Sequence, residues 1–332
     1  MKISALPALF VAVATTPHVI ASFTTKPGPI NVVTPPSDHA KFTKQWTIER
    51  NTKRDDIQGI GLDLGGAVFV NHIEELPPGV LGYVNVTGDS KTIVDAVTMF
   101  NNNASNHNSA TLNVTTTTPP QEGYLLTEIF LSSILFMESV SSAQVVIEED
   151  VFSMNNKDDD LILALGASGS SSIFASDTGS SATVATMLIE TSGSASIQFR
   201  VASISLDDVQ LTSAGYSSIA LLASSIETTG DMILVTEDSG SICTTAKQVT
   251  VPGDFLNVSP SGVSFPNAAN KHGTKGTLAC AEVKRPAREP ALVSTAKMTK
   301  AAKSDSIPSK ENGKQNAYTF EVGDGDDDDE TI

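Results

Sequence analysis

The chain has 332 residues, of which 18% are charged and only 5% aromatic, and its formal net charge is −17. That length admits one long repetitive core or two ordinary domains, and the acidic balance excludes the broad basic surface that a nucleic-acid or anionic-membrane binder needs. The scarcity of aromatics fits a narrow β-helix interior, filled by Ile, Val, Leu, Ala and small polar residues, better than a sandwich core.

Taken in order, Met1-Lys2, the apolar run Ile3 to Ala14 and the Val19-Ile-Ala21 cut site predict a signal peptide over 1–21. Pro7 and Pro17 oppose a long buried helix there. The run is too short to span a bilayer, and no later stretch reaches about 18 consecutive apolar residues. The expectation is a secreted, extracellular protein without membrane insertion, and the acidic C-terminus is wrong for a lipid-anchor signal. Residues 22–43, with Pro27, Pro29, Pro35 and Pro36, read as a Pro/Thr-rich leader without a core of its own.

Order is expected from about Trp46. Ile60-x-Leu62-x-Leu64 and Val68-Phe-Val70 predict two strands joined at Gly65-Gly66, then a Pro77-Pro78-Gly79 turn and a strand over Tyr83 to Val86. Asn101 to Asn108 and Thr115 to Pro120 read as loops. Leu125 to Phe136 fits a helical face through Leu126, Ile129, Phe130 and Ile134, but Ser132-Ser133 weaken it and strand is favoured.

From Ala143 to Val258 a tetrad returns: Gly169-Ser-Ser-Ser-Ile173, Gly193-Ser-Ala-Ser-Ile197, Gly215-Tyr-Ser-Ser-Ile219 and, shortened, Gly240-Ser-Ile242. The isoleucines lie 24, 22 and 23 residues apart. Val184, Ile204, Ile226 and Val249 form a second column in that phase, in alternating runs such as Ala202-Ser-Ile-Ser-Leu206. A coil of about two dozen residues cannot bury its own apolar face and must lie on a neighbour, which predicts an all-β parallel solenoid over 44–260. Asn155 to Asp160 projects from it. Residues 261–332 then read as a low-complexity, disordered tail: Lys284 to Lys314 carries eight basic against three acidic residues, and 315–332 carries seven acidic and no basic ones.

The opening strands, the Val86-Thr-Gly-Asp89 turn, the Ile93-Val-Asp-Ala-Val97 run and the Gly-Ser-x-Ser-Ile coils together resemble the auto-transporter adhesin head domain of the head-GIN type, over roughly Lys44 to Pro260. The resemblance implies a right-handed parallel β-helix with short N-terminal strands, no catalytic residues to carry over, and an adhesion role. The charged tail and the N-x-[ST] sites depart from the family and suit a eukaryotic secretory route.

Asp55-Asp56, Asp158-Asp159-Asp160, Asp207-Asp208 and Glu237-Asp238 are paired acids of the kind a β-helical polysaccharide lyase or hydrolase uses, but between Lys157 and Lys247 the only basic residue is Arg200. Solvated turns explain them better. No nucleophile elbow and no phosphate loop is present, and the five histidines, His18, His39, His72, His107 and His272, are scattered, so neither a metal nor a cofactor is expected. Lys44 to Pro260 holds 26 acidic and 8 basic residues, a difference of −18, which repels nucleic acid.

Export makes three further features meaningful. Cys243 and Cys280 are placed to pair, two free thiols being the alternative. Asn85, Asn103, Asn113 and Asn257 are glycosylation acceptors, and in Val84-Asn-Val86, Leu112-Asn-Val114 and Leu256-Asn-Val258 inward aliphatics would turn the asparagine to solvent. Ser172, Ser196 and Ser218, beside the stacked isoleucines, form a candidate outward hydroxyl ladder for a carbohydrate or cell-surface ligand. The function expected is therefore a non-catalytic, adhesion-like secreted protein, the alternative being a carbohydrate-active β-helix enzyme.

Overall fold

A computed structural model describes residues 23–53, 55–102, 110–117, 122–154, 161–258, 260–268, 280 and 282–293. The expected signal peptide, Asn103, the Asn155–Asp160 loop and residues 294–332 lie outside them. The N-terminal part comprises β1 (Phe23–Val32), β2 (Phe42–Arg50), β3 (Gly59–Asp63), β4 (Ala67–His72), β5 (Val80–Gly88), α1 (Lys91–Ala96), β6 (Val97–Asn102), β7 (Thr111–Thr116) and β8 (Gly123–Leu131). The regular coils follow as β9 (Phe136–Ser139) and β10 (Gln144–Ile147), β11 (Ile162–Ala167) and β12 (Ser172–Ala182), β13 (Thr186–Thr191) and β14 (Ser196–Leu206). Next come β15 (Asp208–Ser213), β16 (Ser218–Leu222) and β17 (Ser225–Thr228), then β18 (Met232–Thr236), β19 (Ser241–Thr244) and β20 (Gln248–Thr250). The last described strands are β21 (Phe255–Asn257), β22 (Val263–Ser264) and β23 (Ala291–Val293).

These strands form a parallel β-solenoid of two sheets. In sheet A the path runs β1-β2-β5-β8-β4-β10-β12-β14-β16-β19-β22, and in sheet B β21-β18-β15-β13-β11-β9-β3-β7-β6. Chain order and stacking order differ at one place: the coil β3–β4 lies between β7–β8 and β9–β10, so the first coil made is covered from both sides by later ones. The chain leaves it to build an antiparallel cap, with β1, β2 and β5 on sheet A and β6 on sheet B. Among the described residues no helix is long and apolar enough to cross a membrane.

In-register pairing turns the repeat into columns. Ile173, Ile197, Ile219 and Ile242 stack as expected, and the column extends through Val145, Val68 and Thr127 at one end and Val263 at the other, every member at most 4% exposed. The second column differs from the expected one. The residue paired with Ile204 is Ala182, followed by Ile226 and Val249, while Val184 is buried just past the strand. Alternation puts 182 and 184 on the same side, so a small alanine is outweighed by the valine in any hydrophobicity count, and only the backbone register separates them.

The corners obey a similar rule. Gly169, Gly193 and Gly215 have φ of 68, 70 and 77°, and a Cβ on Gly193 would stand 2.9 Å from the Gly169 carbonyl oxygen. In the fourth coil the left-handed residue is Asp238, φ 54°, whose successor Ser239 donates its N–H to Gly215 O. Gly240 instead takes the inner-corner place of Ser171, Ala195 and Ser217, where a Cβ would meet Ser213 O at 2.1 Å. Inside this corner Thr191, Ser213 and Ser217 hydrogen-bond one another at 2.9–3.1 Å, which satisfies hydroxyls that are wholly buried.

Two segments expected to lack structure join the fold. The 22–43 leader supplies β1, an edge strand on β2 that buries Phe23; an edge tolerates Pro27 and Pro29, and the pairing shifts there. From the 261–332 tail, β22 continues the inner column, and residues 282–293 run as a strap across the outer face of sheet A. Cys280 is bonded to Cys243 at one end, and β23 pairs antiparallel with the start of β8 at the other. Between them Val283 donates its N–H to Gln198 Oε1 at 2.6 Å, Arg200 and Glu282 pair at 2.6 Å, and Arg285 pairs with Glu148. The Arg288 guanidinium lies 5.0 Å over the Phe69 ring and reaches Asn71, Glu128 and Glu148. Beneath the strap Ala67, Phe69, Leu126, Val146 and Phe174 form an apolar patch against Ala291.

Truncation of Ile197 to Ala leaves a hole between two coils, and urea unfolding is expected to show a loss of about 2–5 kcal/mol. Ser196→Ala, one residue away on the outer side, should stay within about 0.5 kcal/mol. The denatured, unreduced protein should show no reactive thiol. Reduction removes a cross-link between residues 37 apart in sequence, worth about 4 kcal/mol in the chain-entropy model, and should lower the melting temperature.

Candidate functional site

The expected hydroxyl ladder exists. Ser172, Ser196 and Ser218 pair in register, with Gln144 before them and Ser241 after, on the outer face of sheet A. The next outward column, Val146, Phe174, Gln198, Ala220 and Cys243, lies under or against the strap. That face is therefore partly occupied by the chain itself. Beside the strap a polar concavity of about 550 Å³ is lined by His72, Glu74, Glu148, Glu149 and Arg285 among others, but Glu148 is already taken by Arg285 and Arg288.

The paired acids serve the turns. Asp55 accepts from Thr52 N and Oγ1, Asp56 from Ile57 N at 2.9 Å, and Asp207 from the Thr229 hydroxyl. Asp208 accepts from Asp231 N at 2.7 Å and Asp231 in turn from Asp254 N at 2.8 Å, a staircase of carboxylates that links successive coils. Asp238 holds the left-handed corner, and Asp158 to Asp160 lie outside the described residues. Among the described residues no group of three or more His, Cys, Asp or Glu is disposed to hold a metal ion.

The four sequons do not behave alike. Asn85 is half-buried between Val84 and Val86, which point inward as expected, and it accepts from Gln45 Nε2 at 3.0 Å. Asn113 is only 8% exposed although Leu112 and Val114 do point inward, because its side chain lies down on Gly61 instead of standing into solvent. At Asn257 the strand is turned the other way: Leu256 and Val258 are 47% and 52% exposed, and Asn257 Oδ1 is buried at the position that continues the Leu211–Leu234 column. Asn113 therefore stands on the outward side but covered, whereas at Asn257 the expected orientation is reversed.

The outer face of sheet B has a different make-up, and of its residues the sequence pointed only to Asn113, as a glycosylation acceptor, and to Leu256 beside Asn257. One column reads Thr111, Gly59, Phe136, Ala164, Leu188, Gln210, Ile233 and Leu256; the next reads Asn113, Gly61, Glu138, Gly166, Glu190, Thr212 and Val235. Gly59 and Gly61 form a floor in β3. A Cβ on Gly59 would stand 2.1–2.3 Å from three carbons of the Phe136 ring, so the ring lies flat on the strand, and a Cβ on Gly61 would stand 2.5 Å from Asn113 Oδ1. Asn113 Nδ2 has no hydrogen-bond partner among the described residues. Glycines at alternate positions of a strand, as in Gly59-Ile-Gly61, signal that something approaches the backbone closely, and that signal was available in the sequence.

Gly166 separates Glu138 from Glu190 in this column, so the two backbones stand two strand spacings, or about 9.6 Å, apart. Burial pushes the Glu138 carboxyl above the ordinary glutamate range and the Glu190 charge raises it further; burial alone raises Glu190. Folding therefore favours the protonated forms. Their contribution is fully present below the unfolded value of about 4.3 and is lost as pH rises through the raised folded values. Replacing both by Gln should raise the melting temperature at pH 7 and leave it unchanged near pH 4, measured by thermal denaturation across pH.

No protein-family model matches the chain, and no curated protein does. Several solved structures are similar, two of them as follows. One is described as a candidate cell adhesion protein from Clostridium sporogenes ATCC 15579, with 10% identity and a TM-score of 0.31 over 70% of this chain and 98% of that one. The other is described as a candidate adhesin from Parabacteroides merdae ATCC 43184, with 13% identity and a TM-score of 0.29 over 65% of this chain and 95% of that one.

Proposed function

We propose that the chain is an exported, non-catalytic, adhesion-like protein of the head-GIN kind that binds an extracellular surface through the outer face of sheet B. The observation that carries this reading is the asymmetry of the two faces. Sheet A is crossed by a strap that covers its apolar patch, whereas sheet B presents an in-register array of Phe136, Leu188, Ile233 and Leu256 beside Glu138 and Glu190, with no described segment crossing it. The column is interrupted only by Gln210 between Leu188 and Ile233, and outward apolar residues gathered beside polar groups mark interaction surfaces. Export is supported by the Met1 to Ala21 pattern and by the disulfide, which persists in an oxidising compartment. Asn85 remains a proposed glycan acceptor.

The test is binding of the secreted full chain to intact cells and to isolated cell-wall material. Leu188→Glu combined with Ile233→Glu is expected to weaken binding by about tenfold or more, since it puts charge into the apolar column. Joint replacement of Ser172, Ser196 and Ser218 by Ala should leave binding unchanged. Equal binding by the sheet B variant would reject the assignment of this face, and release of reducing or unsaturated ends from the wall material would replace the adhesion reading with catalysis.

A further inference from the structure

The make-up of the sheet B face also indicates what it binds. Phe136 offers a ring laid flat on Gly59, an apolar platform rather than a side chain standing off the sheet. Next to it, two residues on in β9, Glu138 stands beside Gly61, and the Asn113 amide lies on that glycine. Gly166 then leaves an opening in the column between Glu138 and Glu190, because its missing side chain is the only one between them. Platform, amide, carboxyl, opening and carboxyl thus follow one another across β3, β9, β11 and β13.

We infer that this array is a binding site for a neutral glycan lying across the strands, along the direction in which the coils stack. The inference rests on the reading that sheet B is the binding face. A pyranose has one face of C–H groups and a rim of hydroxyls; the first packs on the Phe136 ring, and the second needs partners that both donate and accept. Carboxyls and a carboxamide supply these. The Asn113 amide is nine-tenths buried and lays its Oδ1 on Gly61, which keeps the floor beside Glu138 flat.

Other ligand classes fit less well. An anionic polymer would meet Glu138, Glu190 and a folded body whose sequence from Lys44 to Pro260 carries 26 acidic and 8 basic residues. A purely apolar segment would cover the two carboxyls without replacing their hydration. An added β-strand needs unpaired backbone groups, and β9, β11 and β13 each have a partner on both sides.

Calorimetric titration of the full chain with neutral linear hexasaccharides of β-1,4- and β-1,3-linked glucose and β-1,4-linked mannose and xylose, and with the galacturonate hexasaccharide, tests this. At least one neutral probe is expected to bind with Kd below about 1 mM, and the galacturonate is expected not to. Phe136→Ala should weaken that binding about tenfold or more. Because loss of the ring also bares Gly59, a second variant is needed: Gly166→Val fills the opening, and its Cβ would lie 3.4 Å from Glu138 Cγ, an ordinary contact that the strand accepts. It should weaken binding about tenfold with the melting temperature held. Failure of every neutral probe, equal binding of galacturonate, or indifference to Gly166→Val overturns the inference. If cell-wall binding persists while the glycans fail, only the ligand class falls; if both fail, the binding-face reading falls too.

Discussion

Everything in this fold depends on coils lying in register, one strand spacing apart, with like placed on like. A residue that points inward in one coil must fit directly between its counterparts above and below, which is why isoleucine recurs at 173, 197, 219 and 242. The corner must also close at the same point each time. Gly169, Gly193 and Gly215 meet that need with left-handed backbone, and their stacked peptides leave no room for a Cβ at Gly193 or Gly215. Asp238 shows that the conformation is the requirement and glycine the usual way to meet it, since aspartate tolerates that region better than most side chains.

A stack of this kind leaves two problems, its open edges and its outer faces. The N-terminal edge is closed by alternating strand direction: β5 runs antiparallel to β8, β2 antiparallel to β5 and β1 antiparallel to β2, and β1 ends the sheet with prolines that blunt further pairing. Placing β3–β4 in the interior of the stack ties the capping segment to the coils on both sides, because the chain must pass through the cap before it can cover its own first coil. The strap does the same for distant parts of sheet A. It joins β19 to β8 by a disulfide and a short antiparallel pairing, and brings Arg285 and Arg288 onto carboxylates of an acidic body. Each of these ion pairs is exposed and worth little alone; the covalent bond and the covered apolar patch hold the strap.

The division of labour between faces follows from that covering. Sheet A spends its outward apolar residues on the strap, and its serine ladder is left beside an occupied column. Sheet B keeps Phe136, Leu188, Ile233 and Leu256 outward, with half-buried acids whose raised affinity for protons reflects how closely they pack on the sheet. An array in fixed register, held on stacked strands rather than on loops, would need little ordering to receive the extended ligand proposed for it.

The sequence by itself determined the repeat, the inner isoleucine column, the glycine corners, the early strands around Gly65-Gly66 and Pro77 to Gly79, and the pairing of Cys243 with Cys280 as one of two alternatives. These are legible because they are local or periodic: an alternation, a fixed spacing, a single partner. What only the tertiary structure decided is non-local. Whether Ala182 or Val184 faces Ile204 depends on backbone register, and whether Asn257 points in or out depends on how the last coil meets its neighbour. The 22–43 leader becomes a strand because β2 offers an edge, and the basic start of the tail becomes a strap because acidic and apolar groups from several coils converge beneath it. The sheet B site was hidden for the same reason. Asn113, the Phe136–Glu138 pair and Glu190 lie far apart in the chain and meet only because β3 is enclosed between β7 and β9, where its two glycines let a ring and an amide lie flat on the backbone, and because β11 and β13 stack on β9.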